Sequence, residues 1–179
     1  MDIGINEKDL KKVAEGLSKF MADTYTLYLK THYFHWNVTG LQFHSLHLMF
    51  EEQYNELWLA TDTLAERIRS LDFFAPGTYS ELSRLTSIKD TAAVPSAEQM
   101  VAQLIAGHET AARVARTLVA TADDASDNAT ADMITQRLEV HEKTAWMLRS
   151  LLGDRSATKL DNVKAADKPV RKKTASAKK

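Results

Sequence analysis

The sequence contains no cysteine, which excludes disulfide bonds and thiolate metal sites. It has only 3 prolines and 6 glycines among 179 residues, a composition that favours a few long elements over many short ones. No apolar run approaches the roughly 18 residues that a membrane-spanning helix needs, so we predict no membrane partner. The first residues, MDIGINEKDLKK, also lack the apolar segment of a signal peptide, and a cytoplasmic protein is expected.

Composition and charge indicate one globular domain with a basic extension. With 44% apolar and 26% charged residues, a chain of this length can bury one substantial core. From Lys159 to the end the chain carries eight basic and two acidic residues, a net charge of +6, whereas the rest carries −7. An acidic body with a basic C-terminal segment predicts two different kinds of partner.

Hydrophobic spacing predicts four long helices. Two cover about 6–39 and 41–71, a third opens after Ser96, and a fourth ends at Gly153. A capping pattern at 78–81 predicts a short helix near 79–86, followed by a connection across the bundle. Short connections within each helix pair and one long crossover between the pairs predict an all-α, ferritin-like four-helix bundle. Because the periodicity stops after Arg155, we predict a bundle domain over 1–155 and a disordered Lys-rich tail over 156–179.

The second predicted helix has two distinct faces. Residues spaced by three or four form its predicted core stripe: Phe43, His47, Phe50, Tyr54, Leu57, Thr61, Leu64, Ile68 and Leu71. A second sector of the helical wheel holds three acids and three large apolar residues: Glu51, Asp62, Glu66, Leu48, Trp58 and Leu59. Acidic and apolar side chains that share a face away from the core predict a surface buried against a partner.

Four of the six histidines directly precede these acids, and imidazole with carboxylate is a ligand set that suits iron, manganese and zinc. His47 and Asp62, however, lie about 22 Å apart along one straight helix, too far for one metal centre. Two copies packed antiparallel about a two-fold axis would bring His47 and Glu51 of one chain against Asp62 and Glu66 of the other. We therefore predict a metal site between subunits, with His35 as a further ligand because it ends the first helix near the start of the second.

Each of these residues also has a simpler interpretation. A single histidine here is more often a core or interface residue, and an acid on an exposed helix is usually a solvated charge. The metal hypothesis depends on co-occurrence, because a cation would compensate several carboxylates on a face that becomes buried. His32 and His44 are weaker candidates. His108 and His141 lie within apolar stripes and are predicted to be core or capping residues.

The assembled residues resemble the signature of the Dps proteins, the DNA-protection proteins of starved bacterial cells, also called miniferritins. The resemblance rests on His35 to Gly40, Phe43, Leu46-His47-x-x-Phe50-Glu51 and Asp62-x-x-Ala65-Glu66-Arg67-Ile68. It covers about residues 6–155 and implies a ferritin-like bundle that assembles into a hollow dodecamer. Many family members carry Asp where this chain has Glu51, which retains the carboxylate but lengthens its reach. No Glu-x-x-His pair, typical of ferritin centres within one bundle, occurs in the sequence.

The resemblance implies oxidation of Fe(II), preferably by hydrogen peroxide, and storage of ferric oxide inside the cage. By motif position, one subunit would supply His35, His47 and Glu51 as metal-binding and catalytic residues, and its partner Asp62 and Glu66. The centre would hold one or two iron ions, with zinc as an alternative occupant. Two ions about 3.5–4 Å apart would pass two electrons to one peroxide without releasing hydroxyl radical.

The basic tail is the predicted DNA-binding segment of a nucleoid-associated protein. It has no aromatic residue to stack on bases, so it would contact the phosphates of double-stranded DNA without sequence preference. A tail that only keeps the protein soluble is the alternative, although twelve copies on one cage favour DNA binding through avidity. The predicted contacts are Lys164, Lys168, Arg171, Lys172, Lys173, Lys178 and Lys179. A second function also stays open, that of a nucleoid-binding structural protein with weak or structural metal sites.

Overall fold

The computed structural model describes residues 2–153, which form five helices. Helix α1 spans Glu7–Asn37, α2 Phe43–Ser70, α3 Tyr79–Leu85, α4 Ala97–Asp124 and α5 Asn128–Leu151. The described range contains no strand, and none of its helices is long and apolar enough to cross a membrane. The predicted all-α bundle with one long crossover is confirmed. The predicted tail and its DNA contacts lie outside the described residues.

Local sequence signals explain where the helices begin and end. The Asn6 side chain accepts a hydrogen bond from the Asp9 amide and caps α1. Thr78 and Ser96 cap α3 and α4, each in a capping box with the residue three positions later. Gly40 adopts φ 106 in the turn between α1 and α2, a conformation that glycine takes without strain. The two short turns pair α1 with α2 and α4 with α5, and the long crossover joins the pairs.

The core consists of two apolar clusters divided by a polar layer. One cluster includes Leu17, Phe20, Leu64, Ile68, Leu118 and Ile134, and the other Leu27, Phe34, Phe50, Leu57, Leu104 and Leu148. Along each long helix a buried polar residue lies between the clusters: Thr24 (beside the buried Asp23), Thr61, His108 and His141. Both threonine hydroxyls donate to carbonyls one turn back, so only the histidines need partners from another helix.

The crossover is fastened to α1 by two buried charged residues. The Asp23 carboxylate accepts a hydrogen bond from the Thr86 hydroxyl at 2.9 Å and another from the Ser87 amide. Two turns further along α1, the Lys30 ammonium donates to the Lys89 carbonyl at 2.7 Å. These bonds satisfy part of a loop backbone that has no secondary structure of its own.

One predicted core position is wrong. Phe43, expected on the core stripe of α2, is 46% exposed. It is the first residue of α2, and its ring packs against His47 one turn later, with ring centroids 5.1 Å apart. The buried position at this end of the helix is taken by Leu46 instead.

Candidate metal centre

The end of α1 and the first turn of α2 place His35 against His47. Their rings stack with centroids 3.8 Å apart and an interplanar angle of 21°. His35 Nδ1 donates to the backbone carbonyl of His47 at 2.8 Å, and His47 Nδ1 donates to the carbonyl of His35 at 3.0 Å. These reciprocal bonds fix both rings across the α1–α2 turn.

The same bonds determine where each ring carries its proton. A carbonyl oxygen can only accept, so Nδ1 carries a hydrogen in both histidines, and in the neutral form of each ring the lone pair then lies on Nε2. Metal-binding histidines typically donate their second ring nitrogen to a carbonyl or carboxylate in this way, which orients the ring. His35 and His47 are therefore oriented to bind a divalent cation through Nε2.

Glu51, Asp62 and Glu66 on α2 have no protein partner within residues 2–153, a property that the exposed Glu52 shares. Glu51 is half-buried one turn after His47, whereas Asp62 and Glu66 are exposed. None of the three forms a hydrogen bond or ion pair with another residue in the range 2–153. The neighbouring Arg67, by contrast, pairs with a different acid, Asp127, at 2.6 Å. The three carboxylates thus remain available as ligands.

Large apolar side chains surround these acids. Leu48, Trp58 and Leu59 are 44%, 53% and 68% exposed, respectively. Exposed apolar groups of this size next to unpaired carboxylates are unusual on a surface that stays in water. In the single chain this second face of α2 is uncovered, as the sequence predicts for a surface that needs a partner.

One chain does not assemble a complete metal centre. Within residues 2–153, no group of three or more His, Asp or Glu lies close enough to hold a metal ion. The structure brings His35 and His47 together, but the length of α2 keeps the acids at positions 62 and 66 more than about 20 Å away along the axis. We call His35, His47 and Glu51 the histidine half-site, and Asp62 and Glu66 the acidic half-site.

The two weaker histidine candidates differ in position, because the ring of His32 lies 6.1 Å from that of His35. His44 is exposed. His32 stacks on Tyr54 at 3.9 Å, its Nδ1 lies 3.3 Å from the Tyr28 hydroxyl, and burial lowers its pKa. Tyr54 also meets His35 edge-on at 5.2 Å, so it supports the ring of a candidate ligand. Sequence periodicity predicts only a core role for Tyr54 and does not indicate this contact.

His108 and His141 form a second pair at the centre of the bundle. Their Nδ1 atoms are 2.9 Å apart, and the two residues are 2% and 0% exposed. Burial lowers the pKa of His108 to about 3 and that of His141 well below its ordinary value, and the charge of Arg137 adds to both shifts. Both rings are therefore neutral and share one proton between their Nδ1 atoms. This arrangement confirms the predicted core role.

Comparisons with known proteins place the chain among ferritin-like proteins. Residues 14–157 match the Ferritin family model, the ferritin-like domain. DNA protection during starvation protein 2 of Bacillus anthracis is 36% identical over 142 residues, which cover 79% of this chain and 97% of that protein. The crystal structure of a Dps protein from Bacillus brevis matches with a TM-score of 0.80 at 35% identity, covering 83% of this chain and 99% of that one. Dps from Vibrio cholerae O1, a member of a broad superfamily of ferritin-like diiron-carboxylate proteins, matches with a TM-score of 0.81 at 29% identity, covering 84% and 94%.

Proposed function

The chain belongs to the Dps proteins of the ferritin-like family, and from that premise we propose that it oxidises Fe(II) and stores the ferric product. The observation that carries this proposal is the reciprocal Nδ1–carbonyl bonding of His35 and His47. It leaves Nε2 of both rings free for a metal, and the carboxylate of Glu51, one turn after His47 on α2, has no other protein partner among the described residues. Imidazole and carboxylate together suit non-haem iron, and a diiron-carboxylate relationship is stated for the Vibrio cholerae neighbour.

The proposed centre is completed by a second subunit. In an antiparallel α2–α2 contact about a two-fold axis, the histidine half-site of one subunit faces the acidic half-site of its partner. Because such a contact is isologous, each dimer contains two centres. Leu48, Trp58 and Leu59 would then be buried in the contact, where they would exclude bulk water. The proposed closed assembly is the dodecamer that the family resemblance implies.

Each half-site has its own chemical role in the proposed reaction. His35 and His47 supply affinity for Fe(II), while the three carboxylates stabilise Fe(III) more than Fe(II) and so favour oxidation. Two Fe(II) ions give two electrons to one hydrogen peroxide, which takes up two protons and leaves as two water molecules. A two-electron step of this kind forms no hydroxyl radical, which a one-electron step would release, so it would protect nearby DNA. The centre takes one or two iron ions, and zinc fits the same donors.

Direct DNA binding is the second part of the proposal. The tail carries +6 against a body of −7, and its lysines and arginines would contact phosphates of double-stranded DNA in a salt-dependent manner. Twelve tails on one particle would raise the affinity by avidity. The protein would then act in the cytoplasm, on the nucleoid, during oxidative stress.

One variant tests the iron chemistry. In the double variant H47A/E51A, peroxide-dependent Fe(II) oxidation by the assembled protein should fall by at least about 100-fold, because two proposed ligands are lost. The matched control is His44→Ala, which removes an exposed histidine from the same helix and should oxidise iron at the normal rate. A normal rate in H47A/E51A would show that the site assignment is wrong.

A truncation separates the two activities. A chain ending at Gly153 should lose DNA binding in gel-shift experiments and keep iron oxidation, whereas H47A/E51A should do the reverse. If H47A/E51A protected DNA from peroxide as well as the unmodified protein, the alternative of a mainly structural nucleoid-binding protein would be favoured.

A further inference from the structure

A cavity of about 810 Å³ lies between the crossover and α4, apart from both half-sites. It is bounded by residues 87–95 of the crossover and by one side of α4, and Lys30 of α1 reaches into its lining. A volume of this size lies within the roughly 300–1,000 Å³ of small-molecule sites in proteins. The proposed iron chemistry does not use this cavity.

Lys30 is a buried cation without an anionic partner. It is 9% exposed, and its ammonium donates to the Lys89 carbonyl at 2.7 Å and to Gln103 Oε1 at 3.3 Å. Both acceptors are neutral, and within residues 2–153 no carboxylate forms an ion pair with it. Burial lowers the pKa of Lys30, and the charge of the exposed Asp90 opposes that shift only through space. An ammonium has three N–H donors, so one remains for a ligand.

The other walls of the cavity combine free amides with small apolar side chains. The backbone amides of Ala92, Ala93 and Val94 donate to no acceptor among the described residues. Consecutive free amides in a loop can form a concave site for an anion. Ala102 and Ala106 of α4 line the facing wall, which leaves room for a short apolar group. The cavity therefore offers the positive charge of Lys30 and an apolar surface, with the free loop amides and the exposed Asp90 carboxylate among its lining residues.

We propose that this cavity binds a small organic carboxylate. The carboxylate accepts the third N–H of Lys30 and supplies the negative charge that the buried ammonium lacks. Its short apolar body lies against Val94 and the alanines of α4. Because Lys30 already holds the Lys89 carbonyl, the bound ligand also tightens the crossover against α1.

Titration calorimetry on the assembled full-length protein tests the ligand class. The probes are acetate, butyrate, hexanoate and inorganic phosphate, all at one ionic strength. Affinity should rise from acetate to hexanoate by about fourfold per buried methylene. Phosphate has no apolar body and should bind more weakly than hexanoate. No binding of any carboxylate, or phosphate binding as tight as that of hexanoate, would overturn the proposal.

Two variants and a matched control test the position of the site. Lys30→Met keeps the length of the side chain without its charge and should weaken hexanoate binding at least about tenfold. Lys89→Met removes an exposed lysine from the rim but keeps its backbone carbonyl, so affinity should stay within about twofold of the unmodified protein. Equal affinity in Lys30→Met and the unmodified protein would contradict the assignment.

A third variant keeps the test decisive if Lys30→Met fails to assemble. Ala106→Leu fills the apolar part of the cavity without touching the ammonium, and it should abolish hexanoate binding while the particle elutes at its normal size. Unchanged hexanoate binding in Ala106→Leu would exclude this cavity as the site.

Discussion

The chain contains two histidine pairs that are built in opposite ways. His35 and His47 each donate Nδ1–H to a backbone carbonyl, so neither ring uses its Nε2 lone pair. His108 and His141 turn their Nδ1 atoms towards each other at 2.9 Å, so that one ring donates its Nδ1–H and the other accepts it. Glu51, one turn after His47 on α2, has no protein partner among the described residues. His108 and His141 lie in the core, where the charge of Arg137 helps to lower the pKa of both rings.

The difference teaches that a pair of adjacent histidines is not by itself a metal site. In a metal-binding pair of histidines, each Nδ1–H donates to an acceptor on the side away from the metal. The pair also needs nearby negative charge and an open side for the ion. In our proposal, the pair of His35 and His47 (the surface pair) would satisfy all three conditions once a partner subunit supplies the acidic half-site. In the central pair of His108 and His141 the facing nitrogens bind each other, and both burial and the charge of Arg137 disfavour an added cation.

The largest expected difference between the two histidine pairs is in their contribution to the free energy of unfolding. His108→Ala should lower the free energy of unfolding by about 3 kcal/mol, because it leaves a cavity and an unpartnered His141. His47→Ala, at a half-buried position, should cost about 1 kcal/mol for its lost hydrogen bond. Denaturant titration of each variant at one protein concentration measures both values. Equal losses would show that the two pairs contribute to the fold in the same way.

Acid should destabilise the folded protein mainly through the central pair, His108 and His141. The pKa of His108 is about 3 in the folded protein and about 6.5 when unfolded, so the folded state binds fewer protons between these values. The stability contributed by this histidine is fully present above pH 6.5 and is lost as the pH falls towards 3. From pH 6.5 to 5 we expect a loss of about 2 kcal/mol. The variant H108Q/H141Q should flatten this slope while H35Q/H47Q retains it, and an unchanged slope in H108Q/H141Q would contradict the account.

The smallest expected effect is that of changing His32, whose ring lies beside the ring of His35. His32→Phe should keep Fe(II) oxidation within about twofold of normal, since a phenyl ring can stack on Tyr54 in place of imidazole. Stopped-flow measurement of the peroxide reaction gives the rate. A loss of tenfold or more would indicate that His32 is also a metal ligand. The surface group would then contain three histidines instead of a pair.

Most of the fold follows from local signals in the sequence. Residues at 78 and 96 predict helix starts because their side chains cap free amides, and Gly40 predicts a turn because it accepts positive φ. The error at Phe43 has a physical cause. Periodicity identifies a stripe along a helix, but it does not show that the first turn of that helix extends past the buried region.

Only part of the candidate centre can be predicted from the sequence. The shared sector of Glu51, Asp62 and Glu66 and their distance from His47 follow from helix geometry. The reciprocal bonds of His35 and His47 involve backbone carbonyls, which every residue possesses, so no sequence pattern indicates them. The hydrogen bonds from Asp23 and Lys30 to the crossover cannot be predicted from the sequence either, because they join residues about sixty positions apart.

The central claim is that neither half-site works without the other subunit, and co-expression of two inactive variants tests it directly. One variant, H47A/E51A, lacks the histidine half-site, and the other, D62A/E66A, lacks the acidic half-site. Random pairing makes about half of the two-fold dimers mixed, and each mixed dimer has one intact centre of two, so co-assembled particles should recover about one quarter of the normal rate of Fe(II) oxidation. If the ligands belonged to separate centres within one chain, the mixed particles would stay as inactive as each variant alone.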